Sequence, residues 1–238
     1  GILGADGATY KAIEFDGSTV RNMEVWERLT LSNMTVEAGA KVGLIPTDGH
    51  TQRYLTTAGR GREFKVIEPD DDAVYERTIE LDAKQLQPMV ALPHAVDNVK
   101  RLDEVSNTKI DLVFIGSCTN TRLEDLHIAA KILKGRRINS HTRLVVTPAS
   151  MKVYLEASRD GTLSTLTEAG AVITPSGCGM CFGALGGVPA DGERVFSTSN
   201  RNFPGRMGNP KAFTYLGSPA VAAVTAVKGE ISDPSEFL

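Results

Sequence analysis

The sequence predicts an α/β protein whose main sheet is predominantly parallel, with helices on both faces. Three observations predict it. From about residue 110 onward, strand-like and helix-like stretches alternate, the pattern of parallel strands joined by crossover helices. "IDLVFIGS" (110–117) is a continuous apolar run, as expected of a strand buried on both faces. "SPAVAAVTAVKG" (218–229) carries helix signals at both ends: Ser218 as N-cap, Pro219 at the first helical position and Gly229 at the close.

The elements follow in order. "TYKAIEFDG" reads as a strand with a glycine stop. "NMEVWERLTLSNMTVEAGAKVG" has helical spacing interrupted by turn residues, giving two helices. "VGLIP" reads as a short buried strand, "TQRYLTTAG" as a short helix ending at Gly59, and "YERTIELDA" as a half-buried strand by its alternation. The stretch from about 83 to 108 holds two prolines and little periodicity, and reads as a connection between two domains, 1–95 and 96–238. Beyond the 110–117 strand, "TRLEDLHIAAKILKG" places Leu123, Leu126, Ala130 and Leu133 at helical spacing before Gly135. "RLVVTPAS", "AVITPSG" and "RVFSTSN" read as strands, and "MKVYLEASRDG" and "LSTLTEAG" as helices.

Composition narrows the function. Hydrophobic residues at 41% and charged residues at 23% are ordinary for a globular protein. A net charge of -3 argues against nucleic acid or an anionic membrane as partner. No apolar run approaches the roughly 20 residues that span a bilayer, and no secretory pattern opens the chain. Three cysteines without a disulfide framework point to a reducing compartment, and so to a cytoplasmic location.

Those cysteines are the most informative residues. Ligands of open parallel sheets gather beyond the carboxyl ends of the strands. Cys118 lies just past "IDLVFIGS", Cys178 and Cys181 just past "AVITP", and Asn200 and Arg201 just past "RVFSTS", so one site collects all three thiols. Several chemistries remain open at this point. A closed structural zinc site takes four ligands, and a second CxxC is missing. A Cys178–Cys181 disulfide would leave Cys118 unexplained. An iron–sulfur cubane held by three thiolates would leave one iron open as a Lewis acid. Three unrelated buried cysteines are the plainest reading of spacing alone.

"GSCTNTR" (116–122), "GCGMC" (177–181) and "STSNRNFPGR" (197–206) occur in the order of the aconitase / isopropylmalate dehydratase family, which the chain resembles; "LSNMTVEAGAKVGLIPTD" (31–48) extends the likeness into the first part. The resemblance implies two three-layer α/β/α domains like the family's iron–sulfur domains. It implies a 4Fe–4S cluster on Cys118, Cys178 and Cys181 with one iron lacking a protein ligand. Arg201 and Arg206 match the family's active-site arginines, whose planar forks suit the carboxylates of di- or tricarboxylate 2-hydroxy acids. Glu37 matches a carboxylate near the reacting hydroxyl; Asn33 and Asn200 match asparagines beside the cluster; Ser117 and Thr119 flank the first cysteine. His50, His94, His127 and His141 fit no motif. The implied reaction is reversible dehydration, with 3-isopropylmalate dehydratase in leucine biosynthesis favoured over homoaconitase or citramalate-type relatives; a zinc-binding module is the non-enzymatic alternative. The resemblance also implies that this is the C-terminal portion of a large subunit, two domains of three, whose partner is a small subunit carrying a swivelling domain. Alone, it is expected to be inactive.

Overall fold

The computed structural model describes residues 1–237. The chain forms two compact units: Asp6–Gln87, and Gly1–Ala5 together with the chain from Pro88 onward. Among the described residues, no helix is long and apolar enough to cross a membrane.

In the smaller unit, β1 (Ala12–Glu14) and β2 (Val42–Leu44) pair in parallel, with Ile13 opposite Gly43. Between them run α1 (Ser18–Asn22) and α2 (Val25–Met34), and α2 continues into a 3₁₀ turn over Thr35–Ala38. Gly43 lets β2 lie against that turn, since a Cβ there would sit 2.6 Å from a Thr35 methyl carbon. The last helix, α3 (Gly49–Thr57), is capped by Asp48, which accepts from His50 N at 2.9 Å and Thr51 N at 3.1 Å. The buried Arg28 reaches the same carboxylate at 2.6 Å. Burial raises the Asp48 pKa, but the Arg28 bond and the backbone donors outweigh it and hold the group down at about 2. "YERTIELDA" departs from expectation. It forms no strand, and Tyr75, Ile79 and Leu81 are exposed. Alternation marks a strand only where a neighbour supplies the ladder, and none of the described strands pairs with it.

The larger unit opens where a connection was expected. Residues 89–105 supply β3 (Met89–Ala91), β4 (Val99–Arg101) and the short α4 (Leu102–Val105). There follow β5 (Leu112–Ile115), α5 (Leu123–Leu133), β6 (Arg143–Val146), α6 (Met151–Arg159), α7 (Thr162–Ala169), β7 (Val172–Ile173), β8 (Arg194–Ser197), β9 (Phe213–Leu216) and α8 (Pro219–Lys228). The seven strands run in the order β4-β3-β9-β8-β5-β6-β7. The five from β9 to β7 are parallel; β3 joins β9 and β4 antiparallel at one edge. The α8 signals act as read: Ser218 Oγ accepts from Val221 N at 3.3 Å and Gly229 closes the helix at φ 77°.

β5 shows how the core is divided. Val113 and Ile115 face a cluster that takes in Leu126, Leu133, Leu166 and Val224 from the helices. Leu112 and Phe114 face a second cluster containing Val145 and Val195 from neighbouring strands. The other buried members of that cluster are Met180, Cys181 and Met207, from two loops. Those loops thus help form the core, which fixes their backbones against the sheet.

Candidate metal-cluster and carboxylate site

Because β5, β6, β7 and β8 are parallel neighbours, their following loops emerge at one edge of the sheet. The loop after β5 carries Ser117 and Cys118; the loop after β7 carries Cys178 and Cys181 in and beside a 3₁₀ turn (Gly179–Phe182); the loop after β8 carries Asn200, Arg201 and Arg206.

Thr198 straps two of these loops together. Its hydroxyl accepts from Gly116 N at 3.0 Å and lies 3.0 Å from Gly116 O, while Asn120 Nδ2 donates to Thr198 O at 3.3 Å. Ser117 is buried and adopts φ 85°, a left-handed conformation rarely taken by a non-glycine residue. Its hydroxyl accepts from Thr119 N at 3.2 Å, and its carbonyl accepts from Thr121 Oγ1 at 2.6 Å. Ser117 therefore shapes the turn that presents Cys118.

The second pair of loops meets at glycines. Gly179 has φ 54°, and a Cβ there would fall 2.3 Å from Thr147 Oγ1 at the end of β6. Gly183 has φ 74°, and a Cβ there would fall 2.2 Å from Gly208 N. This close approach brings the cysteine turn against the arginine loop. Gly183→Ala should cost about 2 kcal/mol or more, from left-handed strain plus a clash with backbone. Gly135→Ala, also at positive φ but with nothing within 4 Å, should show the strain alone, about 1 kcal/mol. Urea midpoints of the two variants check the difference.

The contact that results joins Arg206 to Cys181: the guanidinium Nη2 lies 3.3 Å from the sulfur. Burial pushes the Cys181 thiol up; the Arg206 cation pulls it back, and repulsion from Cys118 and Cys178 adds to the rise. The three sulfurs thus interact electrostatically in one neighbourhood, and none is in a disulfide. Cys118 and Cys178 are exposed and Cys181 is buried. Among the described residues, no three His, Cys, Asp or Glu side chains close around a point that would hold a single metal ion. Two buried polar atoms on the loops that carry Cys178, Cys181 and Arg201 lack a hydrogen-bond partner, Arg206 Nε and Ser176 Oγ.

Asn200 is buried and Arg201 half-buried beside the Thr198 strap. Asn33 and Glu37 lie in the smaller unit, Asn33 near the end of α2 and Glu37 in the 3₁₀ turn that follows. The histidines engage elsewhere: His127 with Asp160 at 2.8 Å, His50 with Glu24 at 3.0 Å, and His94 against the Phe213 ring.

Three residues went unassigned in the sequence. Thr198 and Arg122 lie inside the quoted motifs, yet their hydrogen bonds become visible only with the loops folded. Asn202, 1% exposed, donates to Leu92 O at 2.8 Å and Thr214 O at 3.2 Å, tying the arginine loop to the sheet's antiparallel edge. Asp125 is a different surprise: a carboxyl 2% exposed in the first turn of α5, pushed up to about 6 by burial, against the pull of its bond from Arg122 N. Its folded pKa exceeds its unfolded one, so the folded state holds the proton more tightly. Its contribution is present in full below about pH 4 and is lost as pH rises through about 6. Asp125→Asn should flatten this fall in stability between pH 4 and 6, measured by denaturant midpoints in both proteins.

The chain matches the aconitase family (aconitate hydratase) over residues 1–106 and 96–229. It is 55% identical over 238 residues to the 3-isopropylmalate dehydratase large subunit of Elusimicrobium minutum, covering 100% of this chain and 57% of that protein. It is 56% identical to 3-isopropylmalate dehydratase large subunit 1 of Thermotoga maritima, again covering 100% and 57%. With 3-isopropylmalate dehydratase large subunit 2 of Archaeoglobus fulgidus the identity is 52%, with the same shares. The chain thus spans a little over half the length of these curated relatives. The motif-bearing loops, the parallel sheet that aligns them and the match along nearly the whole sequence give one conclusion: this chain belongs to the aconitase family.

Proposed function

We propose that this chain is the cluster-binding portion of a 3-isopropylmalate dehydratase large subunit, which interconverts 2-isopropylmalate and 3-isopropylmalate by dehydration and rehydration in leucine biosynthesis. The observation that carries the reading is the Arg206–Cys181 contact at 3.3 Å, beside two further thiols that interact with the same sulfur.

The residues fit a 4Fe–4S cluster. A cubane takes one thiolate per iron, so its ligand sulfurs need not converge on one point. Cys118, Cys178 and Cys181 supply three corners, and the unpartnered donors Arg206 Nε and Ser176 Oγ suit an acceptor-rich neighbour. When bound, such a cluster supplies Lewis-acid chemistry at the iron without a protein ligand. Arg201 and Arg206 orient the substrate carboxylates; Arg206, its Nη2 already near Cys181, fixes one carboxylate relative to the thiols. Asn200 and Ser117, on the loops that carry Arg201 and Cys118, are the polar residues of the larger unit that would line the cluster. The base that removes the carbon-bound proton comes from the small subunit, which also helps close the site to water.

The test follows absorbance of the unsaturated intermediate from 2-isopropylmalate, using the full-length large subunit with its small subunit and, separately, this 238-residue chain after anaerobic reconstitution with iron and sulfide. Turnover is expected from the heteromer and none from the chain alone. A heteromer that ignores isopropylmalate but turns over another 2-hydroxy acid overturns the substrate assignment; turnover by the chain alone overturns the division of labour.

A further inference from the structure

We propose that Arg122 is a positioning residue for Cys118, holding the peptide that presents this thiol. The inference rests on the reading of Cys118 as a cluster ligand. Arg122 is the N-cap of α5, four residues beyond the cysteine, and its side chain folds back along the turn. Nη1 donates to Thr119 O at 2.6 Å and Nη2 to Cys118 O at 3.1 Å. One planar fork therefore takes the carbonyls of two successive residues from two separate nitrogens, a geometry that a single ammonium reproduces only in part.

The Arg122 main chain is fixed in turn, because its N–H donates to Asp125 Oδ2 at 3.0 Å. Asp125 is itself buried in the first turn of α5. From the other side, Thr121 Oγ1 holds Ser117 O at 2.6 Å. The turn thus contains a left-handed serine, a cysteine with an exposed side chain, and carbonyls pinned by an arginine anchored to the helix. The direction of the Cys118 side chain starts from the backbone beneath it, and these bonds hold that backbone. An ordinary surface arginine would leave its fork in water; here both Nη atoms are used on the loop that bears the ligand.

The experiment uses the full-length large subunit with its small subunit, as wild type, Arg122→Met and Arg122→Lys. Hydrogen exchange of the cluster-free protein reads the loop directly. Loss of two charge-assisted hydrogen bonds should speed exchange of the 116–121 amides by roughly tenfold or more, while the peptide containing Cys178 and Cys181 and the second half of α5 keep wild-type rates. Lysine should restore part of the protection. In the cluster-loaded protein, Arg122→Met should release iron to a chelator several-fold faster, with Arg122→Lys between. Wild-type exchange in Arg122→Met, or acceleration spread across the whole domain, would overturn the positioning role. A wild-type protein that takes up no cluster defeats the ligand reading of Cys118 instead, and the exchange data separate the two outcomes.

Discussion

Replacing any one of Cys118, Cys178 or Cys181 with serine in the full-length heteromer should abolish turnover, to below roughly a thousandth of wild type, because residues acting as one unit are not additive in their loss. Serine is nearly isosteric but a poor ligand for iron, so the fold should survive while the metal centre does not. The three variants should differ in stability. Cys118 and Cys178 are exposed, and serine there should change the unfolding midpoint little. Cys181 is buried among Leu112, Phe114, Val145 and Met180, so a hydroxyl there carries a desolvation cost of about 1–3 kcal/mol unless Arg206 pairs with it. Iron content, turnover and urea midpoint measured on the three variants test this. Activity retained in any of them means that its thiol is not a ligand.

The second large effect belongs to the arginines. Arg206→Lys and Arg201→Lys keep the charge and lose the planar fork, and each should lower kcat/KM by roughly a hundredfold or more, the worth of about two charge-assisted hydrogen bonds. The structure separates them in a way the sequence does not. From the motif alone, both substitutions are expected to leave the cluster spectrum unchanged. Arg206 is 3.3 Å from Cys181 Sγ, so its replacement should also alter the spectrum and potential of the cluster. Arg201→Lys should leave both at wild type. Identical spectra in both variants would remove Arg206 from the thiol environment; wild-type kinetics in both would make them ordinary surface cations.

Some of the loops and elements are legible in the sequence and others are not, for reasons that particular residues make plain. Glycine acts on the backbone directly, so the turns at "GSCTNTR" and "GCGMC" are legible without tertiary information, whereas the ligand set comes only with the family resemblance. The helix 219–228 was equally readable because Ser218, Pro219 and Gly229 act within its own backbone. The strand expected at 75–83 does not form because pairing is not local: the alternation is present, but no partner strand is found among the described residues. The converse error hid β3 and β4, where prolines suggested a linker although Ala91 pairs with Leu216 more than a hundred residues later. β9 is no part of the strand pattern expected from the sequence, although "FTYL" before Gly217 carries the β-branched and aromatic residues of a strand. Arg122 and Asn202 stayed hidden because their work is done on main-chain carbonyls, which leave no mark in a sequence.

The central claim, that three thiols from two loops of this sheet hold one cluster, is tested most directly by metal analysis and Mössbauer spectroscopy of the anaerobically purified full-length heteromer. A brown protein is expected, with about four irons and four labile sulfides per large subunit, and one iron spectroscopically distinct from the other three and shifted by added substrate. A colourless protein with one zinc, or four equivalent irons that ignore substrate, would contradict it.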